Sequence, residues 1–269
     1  MNNWDSSCTR ISRDRILALA ECILFLAIFL VSAWYLEIIQ DTETYFFCSK
    51  LIMILLGAIG IFLHKKPEEY GLVPKNLRFS TKWSIYILLL YIGISFITIL
   101  VGILLGIANS RVDFDILVVI LLWYFAGFTE ELFFRGFIQS RLNEVFTRKY
   151  KGILGVEFEW TQGTLITAIF FFGLPHLFVS INPFTGRAEF SLITFATACI
   201  FAPFLGVIFG IIREKTGGII ITATLHAMIN FVASSIGRIA GIMLSSIALA
   251  LAFFIFFEFV FEKILKSEI

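Results

Sequence analysis

Residues 116–137 read ILVVILLWYFAGFTEELFFRGF. The first twelve are uncharged and suit lipid, yet the stretch goes on to carry Glu130, Glu131 and Arg135 into the same apolar setting. On insertion scales a charge at a bilayer centre costs roughly 2.5–3.5 kcal/mol, so three unpaired charges would cost on the order of 7–10 kcal/mol. Either the groups neutralise one another or they are put to use. Helical spacing sets Glu131 and Arg135 about 40° apart on one face, close enough to pair, while Glu130 points about 100° away from Glu131. One carboxylate thus has a built-in counter-ion and the other has none, which suggests two roles and makes Glu130 the candidate to take up a proton.

The rest of the chain sets the context. Its 269 residues are 59% hydrophobic and 15% charged, with 32 phenylalanines and a mean hydropathy of +0.92, far more apolar than the core of a soluble domain requires. The fold class is therefore all-α, a polytopic membrane protein. A net charge of +1 offers no basic field, so nucleic acid is not an expected partner. Cys8, Cys22, Cys48 and Cys199 show neither CxxC nor metal-finger spacing and read as small hydrophobes. Arg10, Arg13 and Arg15 precede an apolar run from Ile16 with no small-residue cleavage site, the pattern of an uncleaved first span.

Apolar runs of membrane length predict eight helices near residues 16–36, 45–63, 83–107, 116–138, 162–181, 191–212, 218–236 and 239–261. With the N-terminus inside, sixteen Lys and Arg fall in the inner segments, against Arg111, Arg187 and Arg238 outside; Lys50 and Arg135 lie within spans. That asymmetry places both termini in the cytoplasm. Connections are short and no repeat is evident, so residues 1–269 form a single membrane domain. Gly102 with Gly106, and Gly206 with Gly210, give two GxxxG spacings suited to close helix packing.

Of three histidines, His64 lies in a charged connection and reads as interfacial, whereas His176 and His226 fall inside apolar runs. His176 follows Pro175, which should kink or end its helix, and Asn230 lies one turn beyond His226. A glutamate base beside one histidine, with a second histidine and an amide to donate to a developing oxyanion, is sufficient for water attack on an amide. No Ser or Cys nucleophile motif is present. A second chemistry stays open: Glu130, His176 and His226 could ligate zinc and leave a position for water. HExxH is absent, and Asn230 is a better amide donor than zinc ligand. A third reading is a non-catalytic membrane transporter or immunity factor, although the halves of the chain do not repeat as transporters commonly do.

EELFFR (Glu130 to Arg135), FGLPH (Phe172 to His176) and HAMIN (His226 to Asn230) resemble, in order, the EExxxR, FxxxH and HxxxN motifs of the CPBP family of intramembrane proteases, which includes the type II CAAX prenyl endopeptidases. The resemblance covers roughly residues 116–236, the expected catalytic core. It implies an eight-span helical fold whose fourth to seventh helices form the active-site cavity, and cleavage of a membrane-associated substrate, prenylated in the CAAX branch. Glu130 with His176 would activate water, His226 with Asn230 would form the oxyanion site, and Glu131 with Arg135 would orient Glu130. The expected partners are the lipid bilayer and a membrane protein or lipidated peptide. No cofactor is implied unless the zinc chemistry holds. The expected location is the cell membrane, with the site accessible from the cytoplasmic side.

Depth poses a question that hydropathy leaves open. Glu130 and His226 stand about eight residues from the predicted cytoplasmic ends of their spans, but His176 stands about fourteen from its own, so the fifth helix should begin after Gln162 or bend at Pro175. Other membrane carboxylates and Lys50 read as snorkelling or paired groups near span ends, as do Glu21, Glu258 and Glu262.

Overall fold

The computed structural model describes residues 4–108 and 116–269. Arg111 and the rest of the 109–115 connection lie outside the described residues. Eight helices follow in order: α1 (Trp4–Ile39), α2 (Thr42–Leu63), α3 (Leu77–Leu104), α4 (Leu117–Val145), α5 (Gln162–Phe178), α6 (Leu192–Thr216), α7 (Ile220–Ala240) and α8 (Ile242–Lys266). Seven are long and apolar enough to cross a membrane, which corrects the expected eight: α5, at 17 residues, falls short. At 1.5 Å per residue α5 reaches only about 25 Å, against a hydrocarbon core of about 30 Å. Pro175 stands at the start of its last helical turn, and the chain then folds into a two-stranded hairpin, β3 (Ile181–Asn182) with β4 (Arg187–Ala188). That hairpin is tied to the end of α1: Asn182 donates to the Trp34 carbonyl, and Arg187 pairs with Glu37 at 2.7 Å.

A second hairpin, β1 (Lys149–Ile153) with β2 (Val156–Thr161), lies where sequence reading placed a loop. Its turn places Leu154 and Gly155 at positive φ, as a tight antiparallel turn requires. The alternation Val156, Phe158, Trp160 between Glu157 and Glu159 is a two-residue period that buries Val156 and Trp160. Signals for α2 and α3 are local. Asp41 accepts from the Glu43 and Thr44 amides, and Asn76 accepts from Phe79, so each side chain satisfies donors that a helix start leaves unpaired.

α7 is the central helix, 72% buried along its apolar window where the other spans are 28–44% buried. It packs closely against α4 because Gly127 has no side chain. A Cβ there would meet the Ala223 carbonyl at 2.8 Å and the Ala227 nitrogen at 3.0 Å. The Gly206 and Gly210 pair does what its spacing suggests, bringing α6 against Ala168 and Thr164 of α5. Gly102 packs on Ala240, but Gly106 meets nothing and lies beyond the end of α3 at φ +68°. At the basic-rich end, Glu21 bridges His64 (2.7 Å) and Arg141 (2.8 Å), which joins α1 to α4. Glu262 pairs with Lys266 at 2.5 Å.

Candidate active site

The depth question resolves through α4. That helix runs on to Val145, well past the predicted end, so Glu130 stands fifteen residues from Val145 and His176 fourteen from Gln162, where α5 begins. Neither a late start nor a Pro175 bend is needed. His226 reaches the same level although its helix starts only six residues earlier, because the α6–α7 connection is recessed. Residues 69–75 cover that connection, with Ile219 N bonded to the Gly71 carbonyl and Lys75 N to the Thr216 carbonyl.

Each motif lies beside a π-helical segment: Leu132–Gln139 follows the two glutamates, Thr167–Gly173 precedes His176, and Phe231–Ile236 follows Asn230. Such segments widen the helix and are frequent at functional sites. Here they gather side chains around Phe172. Its ring lies 3.9 Å from the Arg135 guanidinium, 5.2 Å from the His176 ring and 5.8 Å from the His226 ring.

Arg135 and Glu131 are both fully buried and paired at 2.8 Å, as spacing predicted. Among the described residues, Arg135 Nε and Nη2 and Glu131 Oε2 have no hydrogen-bond partner. The guanidinium instead stacks on Phe172 and Phe209, an attraction that offsets part of its desolvation. Glu131 Oε1 also lies 3.0 Å from His226 Nδ1. A carboxylate only accepts, so Nδ1–H donates to it and Nε2 is turned toward Glu130 Oε2, 3.6 Å away. His176 is fixed in the same manner, donating from Nδ1 to the Phe172 carbonyl at 2.7 Å, which leaves its Nε2 free.

Glu130 differs from expectation. It has a counter-ion, Lys50 of α2, whose Nζ is 2.5 Å from Oε1. Glu131, expected with Arg135 to orient Glu130, lies against His226 Nδ1. Sequence reading passed Lys50 over as a snorkelling residue. The available signal was its position, five residues inside the predicted 45–63 span, where an ionisable group is functional by default; its partner, eighty residues away, was not visible. Asn230, one turn beyond His226, is half-buried, and its side chain makes no hydrogen bond among the described residues.

Glu130 and His176 line one cavity of about 350 Å³. Its walls are not the fourth to seventh helices. They come from α4 and α5 together with Phe29 to Glu37 of α1 and Tyr45 to Met53 of α2. Apolar side chains dominate, among them Phe29, Trp34, Trp123 and Phe134, with Lys50, Glu130 and His176 deep inside and Glu37, Tyr45 and Arg187 at the other end. That other end is where α1 meets α2 and β3 meets β4, the end poor in basic residues. The cavity therefore extends from the middle of the bundle toward its basic-poor end.

The Lys50 ammonium already sits on Glu130, and no group of three His, Cys, Asp or Glu side chains among the described residues is arranged to hold a metal ion.

A multi-pass helical bundle with a glutamate, a histidine and a lysine lining one cavity, and a second histidine beside the glutamate, is the class of molecule that fold and site define. Residues 112–232 match the family model described as Type II CAAX prenyl endopeptidase Rce1-like, a similarity consistent with the CPBP family. Neither the curated proteins nor the solved structures yielded a match.

Proposed function

We propose that this protein is an intramembrane endopeptidase of the cell membrane that uses Glu130 to activate water against a peptide bond of a membrane-associated substrate. The observation that carries this reading is the exposure of Glu130 and His176 to one apolar cavity, while Glu131 and Arg135 are sealed behind them. A water held between Glu130 Oε2 and His176 Nε2 gives a proton to Oε2 as its oxygen attacks the carbonyl carbon. The carbonyl π pair moves to oxygen. Protonated Glu130 then returns the proton to the departing amine as the C–N bond breaks. His226 faces the same carboxylate oxygen with Nε2, and in its imidazolium form it donates to the tetrahedral oxyanion; Glu131 holds the ring for that task. Asn230, one turn further along α7, completes the donor set on substrate binding. Residues 116–236 supply this core within one membrane domain.

Positive-inside orientation combined with the cavity's position supports access from the non-cytoplasmic face or sideways from the bilayer. The apolar walls suit an extended lipid-attached or membrane-anchored peptide, a prenylated one included.

The test is cleavage by purified protein in detergent of a set of fluorogenic membrane peptides, a prenylated CaaX peptide among them. Wild type is expected to cleave a member of the set and Glu130→Gln to lose about 10²–10⁴-fold in rate while remaining folded. A Glu130→Gln variant as active as wild type excludes the mechanism.

A further inference from the structure

We propose that Lys50 is a positioning residue of the active site, which fixes the Glu130 carboxylate and serves as its counter-ion through the reaction. This rests on the hydrolase reading above and assigns a function to a residue outside all three motifs and outside the 112–232 match.

Lys50 lies within α2, its side chain only 15% exposed, with Nζ 2.5 Å from Glu130 Oε1. Glu130 is its only hydrogen-bond partner among the described residues. A lysine placed only to offset a buried carboxylate could do so from any direction. This one lines the cavity together with Glu130 and His176, so its ammonium is available to whatever the cavity holds. By occupying Oε1 it leaves Oε2 as the oxygen that meets water, on the side where His226 Nε2 stands 3.6 Å away. A carboxylate rotates freely about its terminal bond unless one oxygen is pinned, and a pinned base in a near-attack geometry is a large part of what an active site supplies.

Charge accounting gives the second half of the argument. When water attacks, negative charge leaves Glu130, which becomes a neutral acid, and appears on the tetrahedral oxygen. The ammonium carries three donors and only one is engaged by Oε1. It therefore remains paired with negative charge before and after the proton moves, within one low-dielectric cavity where an unpaired charge is costly. This is the electrostatic duty a bound metal ion performs in other hydrolases.

The experiment compares full-length wild type, Glu130→Gln, Lys50→Met and Lys50→Arg on whichever peptide of the set wild type cleaves, with kcat, KM and the thermal melting midpoint recorded for each. A positioning role predicts that Lys50→Met loses about 10²-fold in kcat with KM near wild type and the protein folded. Lys50→Arg, which keeps the charge, should recover most of that loss, and it carries the test if Lys50→Met does not fold. Three results overturn the proposal: wild-type kcat in Lys50→Met, a folded Lys50→Arg with no activity, or a rate loss fully matched by loss of folded protein. If Glu130→Gln is inactive while Lys50→Met is fully active, the hydrolase reading stands and this proposal alone falls. If wild type cleaves no peptide in the set, both fall.

Discussion

His226 Nδ1 lies 3.0 Å from Glu131 Oε1, the same oxygen that Arg135 Nη1 approaches to 2.8 Å. One fully buried carboxylate oxygen thus anchors a cation on its own helix and an imidazole on another. Removing it leaves a buried guanidinium with only aromatic faces for company. Glu131→Gln is expected to destabilise the fold by about 3–5 kcal/mol, the usual consequence of breaking a buried ion pair from one side. Glu130→Gln, whose carboxylate faces the cavity, should cost clearly less. Thermal unfolding of the two variants in detergent checks the ranking, which fails if Glu130→Gln is the less stable.

Helix spacing sets a second expectation. A methyl group at Gly127 would collide with backbone atoms of Ala223 and Ala227, which cannot swing aside as a side chain can. Gly127→Ala should push α4 from α7, move His226 relative to Glu130 and destabilise by about 1–3 kcal/mol. Gly93, whose added methyl would meet nothing within 4 Å, is the control. Equal melting temperature and activity in both variants would refute the close-packing argument.

Access can be mapped with thiol chemistry in intact cells. In a background without native cysteines, Glu37→Cys, at the mouth of the cavity, is expected to react with a membrane-impermeant maleimide added outside. Lys149→Cys, in the β1 strand at the basic-rich end, should react only after the cells are opened. The reverse pattern would return the site to the cytoplasmic face.

Metal removal supplies the fourth prediction. Since Lys50 already neutralises Glu130, dialysis against a strong chelator should leave turnover unchanged and added zinc should not raise it. Loss on chelation with recovery on zinc would restore the metal chemistry that the geometry disfavours.

Much of this arrangement was legible because membranes simplify the code. Hydropathy located all eight helices, with most ends within several residues although α1 begins at Trp4 rather than near 16, since lipid demands long apolar runs regardless of tertiary context. The Glu131–Arg135 pair was legible from four-residue spacing alone. The Glu130–Lys50 pair was not, because contacts between helices carry no fixed interval. The extra length of α4 was hidden for a related reason: Gln139, Ser140 and Arg141 look like a loop, yet they stay helical by finding buried or interfacial partners in Thr164, Arg213 and Glu21. The β1–β2 hairpin did show its alternating pattern, but within a charged stretch already read as a connection. Asn230 was chosen for its spacing from His226, and its side chain makes no hydrogen bond among the described residues.

The cavity walls contributed by α1 and α2 bear on how such a molecule can diversify. The stretch with the three motifs holds the base and the histidines, but Phe29, Trp34, Tyr45 and Lys50 come from an N-terminal helical hairpin joined by only two residues, Gln40 and Asp41. On the proposed reading, most of the chemistry and much of the substrate choice fall in different parts of the chain. Grafting a foreign α1–α2 hairpin onto an unchanged core should alter which peptide is accepted before it alters how the bond is broken, provided the graft retains a cation at the position of Lys50.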